Sequence, residues 1–221
     1  MFDTVLIAGL GLMGGSMAKT IKARTLSRVL GWNRTRATAE QALADGSIDA
    51  IATEALYKEA DLVIIGLYPQ ATVDWLLENM PKMKKGCVIV DMVGVKQFMV
   101  DHLEQAALDA GVHYVGGHPM AGREFSGLDF ALSTLFDGAS MLFVPTKSST
   151  ERVLEQLEAY FMSLGFGQTV RCTAQQHDHM IAFTSQLAHV VSSVHQKSGG
   201  GQAQRLFGGQ LQGSDACCQA E

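Results

Sequence analysis

Six residues near the amino terminus constrain this chain more than any other feature. Gly9-Leu10-Gly11-Leu12-Met13-Gly14 closes a short unbroken apolar run, residues 4–9 (TVLIAG), of the kind buried on both faces of a parallel sheet. From residue 11 to residue 24 the pattern turns helical, with Met13, Met17 and Ile21 at four-residue spacing. A GxGxxG alone is a weak signal. Placed after a buried strand and opening a helix, it is the fingerprint of a dinucleotide-binding turn. Gly9 permits the tight turn, Gly11 lets the backbone approach a pyrophosphate, and Gly14 lets helix and strand pack closely. Leu12 and Met13 begin the helix, where unpaired N–H groups attract phosphate.

The rest of the chain repeats the same unit. Apolar or mixed runs at 28–32, 61–67, 86–91 and 112–115 read as strands, and the stretches 35–45, 69–80 and 95–110 as helices. Short buried strands alternating with helices predict an α/β, Rossmann-like, mostly parallel sheet with helices on both faces. From residue 140 come a strand (140–144), a helix (151–164) and a last strand (167–171). Thr173 then opens a long helix with a capping-type pattern, the start of a different architecture. The expected division is a nucleotide-binding domain over 1–171, the first helix of an incomplete all-helical domain over 172–197, and a tail over 198–221.

Composition excludes several classes. With 22 acidic against 17 basic residues, the formal charge of −5 suits neither nucleic acid nor an anionic membrane surface. No apolar run approaches the roughly 20 residues of a membrane span, and the start reads as a strand rather than a signal peptide. The four cysteines fit neither a disulfide framework nor a zinc site, so no metal is expected and the cytoplasm is the expected compartment.

Two further places concern the cofactor. An acidic residue normally closes the second strand and holds the ribose hydroxyls. Here the chain has Asn33, Arg34, Thr35 and Arg36. Asn33 can donate and accept without repelling a 2′-phosphate, and Arg34 and Arg36 could pair with one. The cofactor is therefore NAD or NADP, with a lean to NADP; the bland alternative is two solvated arginines at a helix start. Tyr68 and Pro69, where the 61–67 strand breaks, complete the cofactor set.

The third signal is residues 117–127, GHPMAGREFSG. A His-Pro pair in a Gly-rich loop after a strand, beside a dinucleotide site, makes His118 a candidate catalytic group. Arg123 and Ser126 share its loop, with substrate contact and plain loop surface evenly weighed.

Taken together, GLGLMGGSMA at the start, HPMAGREFSG in the middle, and His177-Asp178 followed by residues 184–189 (TSQLAH) resemble the prephenate dehydrogenase family of tyrosine biosynthesis, arogenate-specific members included. TSQLAH is similar to that family's Ser-His-Leu-Pro-His element, with Gln186 and Ala188 as departures. The resemblance runs from residue 1 to about residue 197. It implies hydride transfer from prephenate or arogenate to NAD(P) with loss of CO2, a homodimer formed by the intact protein's helical domain, and no metal. It implies His118 as proton acceptor for the substrate hydroxyl, and Ser185 and His189, on one helix face, as substrate contacts beside Arg123 and Ser126. A histidine at its ordinary value predicts a rate rising with pH near 6.5. The family's Asp-x-x-Ser-x-Lys appears here as Asp91-Met92-Val93-Gly94-Val95-Lys96, so the serine's contact is lost or water-mediated. A β-hydroxyacid dehydrogenase is the other enzyme reading, which HPMAG argues against; a chain that holds cofactor without turnover is the third.

The tail, SGGGQAQRLFGGQLQGSDACCQAE, has no helical periodicity and does not continue a helical domain. It is expected to be disordered. Residues 204–220 can be encoded so that a one-base shift reads HSGFSAGSYKDLTRVAKL, which looks like the family's next segment. The expectation is a frameshift between about residues 196 and 203, testable by sequencing the locus.

Overall fold

The computed structural model describes residues 2–183, so residues 184–221, with Ser185, His189 and the tail, lie outside the described residues. The chain divides into the units Met1–Asp178 and His179–Glu221, and the description below concerns the first.

Strand β1 is Thr4–Ala8 and helix α1 Leu12–Arg24; β2 is Arg28–Trp32 and α2 Arg36–Ala44. A two-residue strand β3 (Ala50–Ile51) and one-turn helix α3 (Glu54–Tyr57) precede β4 (Leu62–Ile65) and α4 (Pro69–Asn79). Then come β5 (Val88–Asp91), α5 (Gln97–Ala110), β6 (His113–Pro119), β7 (Ser140–Pro145), α6 (Glu151–Ser163), β8 (Gln168–Arg171) and α7 (Ala174–Ile181). The eight strands form one sheet in the order β3-β2-β1-β4-β5-β6-β7-β8. All pairs are parallel except β6 with β7. The Rossmann-like expectation holds, helices on both faces included.

Two apolar layers explain why the strands read as continuous hydrophobic runs. Along β1, Val5 and Ile7 enter one core cluster with Met17, Ile21, Leu157 and Phe161, while Leu6 and Ala8 enter the other with Leu76, Met99 and Leu103. The two-residue period of a strand sends successive side chains to opposite faces, and both faces are covered. Each such buried aliphatic side chain contributes about 1.5–3 kcal/mol relative to exposure. Local signals set the ends: Pro69 opens α4, Thr150 Oγ1 accepts from the Val153 N–H at the start of α6, and Gly111 closes α5 at φ +68°.

The chain order reverses between β1 and β4. β2 and β3 lie on one side of β1, and β4 and the later strands on the other. A crevice beyond the carboxyl ends at such a switch point is where open α/β sheets bind ligands.

One expectation needs correction here. His118 and Pro119 are not in a loop after the strand but are the last two residues of β6, opposite Leu142 and Met141 of β7. Proline lacks an N–H, yet at the end of a strand it breaks little of the ladder. His118 is consequently carried on a rigid element.

Candidate functional site

The glycine turn is built as its spacing requires. Gly9 has φ +94°, and a Cβ there would stand 2.7 Å from the Gly66 carbonyl oxygen. A Cβ on Gly14 would stand 1.8 Å from the Gly9 carbonyl oxygen, so helix and turn touch backbone to backbone. At Gly11 there is nothing within 4 Å of that position, which leaves open space beside the first turn of α1. This combination, a closed turn with one open glycine at a helix N-terminus, fits the pyrophosphate of a dinucleotide. Leu12 and Met13 are half-buried in the first turn.

Flanking strands complete the crevice. The Gly9 N–H donates to the Trp32 carbonyl at the end of β2, and the Gly66 N–H to the Ala8 carbonyl. Asn33 Oδ1 accepts from the Leu10 N–H at 3.0 Å, and its Nδ2 donates to the Thr35 carbonyl at 3.1 Å. Asn33 thus fastens the end of β2 to the glycine turn. Arg34 is exposed and forms no ion pair among the described residues, whereas Arg36 is paired with Glu40 at 2.8 Å. Tyr68, 86% exposed, and Pro69 stand at the start of α4, just past Gly66. Gly66 is a further member of the turn; its signal in the sequence is the glycine one residue before the end of the run 61–67.

His118 is not a lone base. Its Nδ1 lies 2.8 Å from His177 Nε2, and His177 Nδ1 lies 2.8 Å from Asp178 Oδ1. Asp178 in turn accepts the backbone N–H of Lys96 at 2.8 Å and of Gln97 at 2.9 Å, at the start of α5. Burial pulls the Asp178 carboxyl up, but the Gln97 N–H, the His177 contact and the Lys96 N–H together hold it below its ordinary value. The carboxylate can only accept, so His177 carries its proton on Nδ1. Its Nε2 then accepts from His118 Nδ1–H, which leaves a lone pair on His118 Nε2. A Cβ on Gly94 would stand 3.8 Å from that nitrogen, so the lone pair is beside the 91–96 loop, where the serine of the family pattern is missing.

Both imidazoles are held neutral. Burial, then the Lys96 charge and His177, lower the pKa of His118 to about 4, against the opposing pull of Asp91 and Asp178. The fold thus places His118 well below the ordinary value of about 6.5 on which the expected rate profile rests. His177 is lowered as well, by burial first and Lys96 in support, although Asp178 raises it.

Lys96 is itself fully buried. Its Nζ lies 2.6 Å from Asp91 Oδ1 and also donates to the Val93 carbonyl, and Tyr114 donates its hydroxyl to Asp91 Oδ2 at 2.7 Å. Burial and the Asp91 charge drive the Tyr114 hydroxyl well above its ordinary pKa. Charges buried this deeply persist only when each polar atom is matched. The loop between β5 and α5 is therefore rigid from both ends.

Arg123 and Ser126 lie on the exposed stretch after β6; the Arg123 guanidinium stands 5.4 Å over the Phe125 ring, which stacks on Phe130 at 4.8 Å. Neither residue is hydrogen-bonded to His118.

The profile described as "Prephenate dehydrogenase, nucleotide-binding domain" matches residues 17–168, well over half of the chain. The chain belongs to this family. The prephenate dehydrogenase of Bacillus subtilis is 34% identical over 202 residues, covering 89% of this chain and 54% of that protein. A cyclohexadienyl dehydrogenase of Zymomonas mobilis is 29% identical, covering 86% of this chain and 65% of its own length. The chain spans between about half and two thirds of the length of these relatives. Among solved structures, Synechocystis arogenate dehydrogenase superposes with a TM-score of 0.79 at 26% identity, covering 92% of this chain and 72% of that one. A prephenate dehydrogenase from A. aeolicus, in complex with hydroxyphenyl propionate and NAD+, shares the fold with a TM-score of 0.81 at 24% identity, covering 90% and 69%.

Proposed function

We propose that this chain performs the oxidative decarboxylation of prephenate to 4-hydroxyphenylpyruvate, with arogenate as the alternative substrate and NAD or NADP as hydride acceptor. The observation that carries the reading is the His118–His177–Asp178 chain, which leaves a neutral acceptor nitrogen on a rigid strand in the same sheet as the glycine turn. His118 Nε2 takes the proton of the substrate ring hydroxyl as the carbonyl forms. The resulting positive charge on His118 is eased by its Nδ1–H bond to His177, which Asp178 anchors to α5. Nicotinamide, when bound, would accept the hydride leaving the same ring carbon. As the ring carboxylate departs as CO2, its bonding pair passes through the ring to the new carbonyl oxygen, aromatisation drives the step, and His118 returns the proton to that oxygen to give the phenol. The protein's task is positioning and one proton.

Gly9, Gly11, Leu12, Met13 and Gly14 would hold the pyrophosphate, and Tyr68 and Pro69 would flank the cofactor. Arg34, exposed where β2 ends without a carboxylate, supports acceptance of a 2′-phosphate and hence the lean to NADP. Arg123 and Ser126 are assigned to the substrate carboxylates and hydroxyls. A homodimer and a cytoplasmic setting complete the reading, and Ser185 and His189 keep their assignment as substrate contacts although they lie outside the described residues.

The test is His118→Asn in the full chain. Substrate affinity should stay within about an order of magnitude while turnover falls about 10²–10⁴-fold, as for loss of a positioned proton acceptor. Near-normal turnover would remove His118 from the chemistry. Cofactor binding with no turnover in the parent chain would instead leave only the nucleotide-binding reading.

A further inference from the structure

Between β6 and β7 the chain makes a detour across helix α1. One end of the detour is fixed beside His118, where the Met120 N–H donates to the Ser140 carbonyl at 2.8 Å. The other end lies along α1. The Leu132 N–H donates to Ser16 Oγ at 3.0 Å, Thr20 Oγ1 donates to the Ser133 carbonyl at 3.0 Å, and Lys19 Nζ to the Ala131 carbonyl at 3.3 Å. Residues 122–127 span these anchors, exposed, and carry Arg123 and Ser126.

The detour packs closely on α1 at Gly15. A Cβ there would stand 2.6 Å from Leu128 Cδ1 and 3.0 Å from the Ala131 Cβ. Leu128 and Ala131, both 4% exposed, sit in the notch left by the missing side chain. The glycine turn does not require Gly15: it lies one residue past the fingerprint, inside a regular helix, with no positive φ. A glycine there weakens the helix. What its bareness provides is the seat for Leu128, one turn from the end of α1 that faces the open space at Gly11.

We propose that the Gly15 notch is a positioning device for the 122–127 loop: by seating Leu128 it fixes where Arg123 and Ser126 stand relative to the cofactor end of α1. Gly15 thereby sets substrate affinity without touching substrate. The purpose of the device rests on the reading of Arg123 and Ser126 as substrate contacts; the joint itself does not.

The experiment compares Gly15→Ala, Leu128→Ala and the double variant in the full chain. It measures the rate of tryptic cleavage after Arg123, the Kd for NAD, and the Kd for prephenate with NADH present, where no hydride can be transferred. In Gly15→Ala the added methyl displaces Leu128, so cleavage after Arg123 should quicken and prephenate binding weaken about tenfold, while the NAD Kd stays within about threefold. Shortening Leu128 makes room for that methyl, so the double variant should be less impaired than the sum of the two single changes. Additive effects, or NAD and prephenate affinity falling together, would make Gly15 an ordinary fold glycine and overturn the proposal. Unchanged cleavage in Gly15→Ala would overturn it too. Faster cleavage with coupling between the two sites, but unchanged prephenate affinity, would uphold the joint and refute the assignment of the loop to substrate.

Discussion

Gly11 and Gly14 stand three residues apart in one motif, yet the structure gives them opposite physical roles. A methyl group at Gly14 would sit 1.8 Å from the Gly9 carbonyl oxygen, with further contacts of 3.0 Å to the Gly9 carbonyl carbon and 3.3 Å to Ile7 Cγ2. That is roughly 1.5–2 Å short of ordinary carbon contact, and the obstructing atom is backbone rather than a side chain that can swing away. Over-packing typically costs about 1–3 kcal/mol, and a rigid neighbour puts Gly14→Ala at the top of that range or beyond. For a domain of this size about 3 kcal/mol lowers Tm by roughly 6–12 °C. At Gly11 nothing lies within 4 Å of an added Cβ and φ is an ordinary −76°, so the branch point of Gly11→Val meets no obstacle in the protein. It loses only some N-cap preference, up to about 1 kcal/mol, or about 2–4 °C. Its side chain instead fills the space a pyrophosphate would occupy. Thermal unfolding followed by circular dichroism, together with fluorescence titration by NADH and NADPH, separates the two effects. Gly11→Val should stay within about 2–4 °C of the parental Tm and lose cofactor affinity by about a hundredfold or more. Gly11→Val with parental affinity would refute the cofactor site, and Gly14→Ala with parental Tm would refute the packing argument.

Three other outcomes follow from the same geometry. Asp178→Asn can donate to His177 Nδ1, which reverses both imidazole tautomers and places a proton on His118 Nε2; turnover should fall about 10²–10⁴-fold, with the changed tautomer visible by ¹⁵N NMR, and retained turnover would exclude the chain of histidines from the mechanism. Because His118 titrates at about 4 in the fold and near 6.5 when unfolded, the unfolded state binds more protons between those values, so stability should be full above about pH 6.5 and fall as pH drops towards 4, at up to about 1.4 kcal/mol per pH unit for this residue; a His118→Asn variant with the same acid slope in Tm would contradict this. Arg34→Ala should weaken NADPH about tenfold and NADH far less, and equal losses would mean that Arg34 does not meet a 2′-phosphate.

The parts legible in sequence were those governed by local rules. Continuous apolar runs announced β1, β4 and β5 because both faces of the sheet are covered, and the glycine spacing announced the β1–α1 turn because three separate steric needs fall at fixed positions. β3 and α3 escaped notice, since two and four residues are too short to carry a period. The placement of His118 in a loop failed for a specific reason: Pro119 reads as a strand breaker, whereas here it terminates β6 without costing a needed ladder bond. The partners of His118 were visible only as letters. His177 lies 59 residues away, and nothing local announces that its ring meets His118. Lys96 stands out in the sequence only by its spacing from Asp91, and a lysine at the head of a helix reads as solvated until the fold buries it.

Those long-range contacts converge on a single loop. The side chain of Lys96 binds Asp91 and the Val93 carbonyl, which fixes residues 91–96 from within. The backbone N–H groups of Lys96 and Gln97 hold Asp178, which orients His177 and through it His118. The same loop brings Gly94 to the edge of the His118 ring. One short connection between β5 and α5 thus sets the tautomer of the base, supplies a buried positive charge that adds to burial in keeping it neutral, and borders the nitrogen that must meet the substrate. A buried ion pair is a poor source of net stability, since desolvation offsets most of its attraction. Its presence at this point of the fold is better accounted for by the geometry it enforces: with Asp91, Lys96 and Tyr114 each matched in one arrangement, the loop has one conformation to offer, and the acceptor nitrogen of His118 one direction to face.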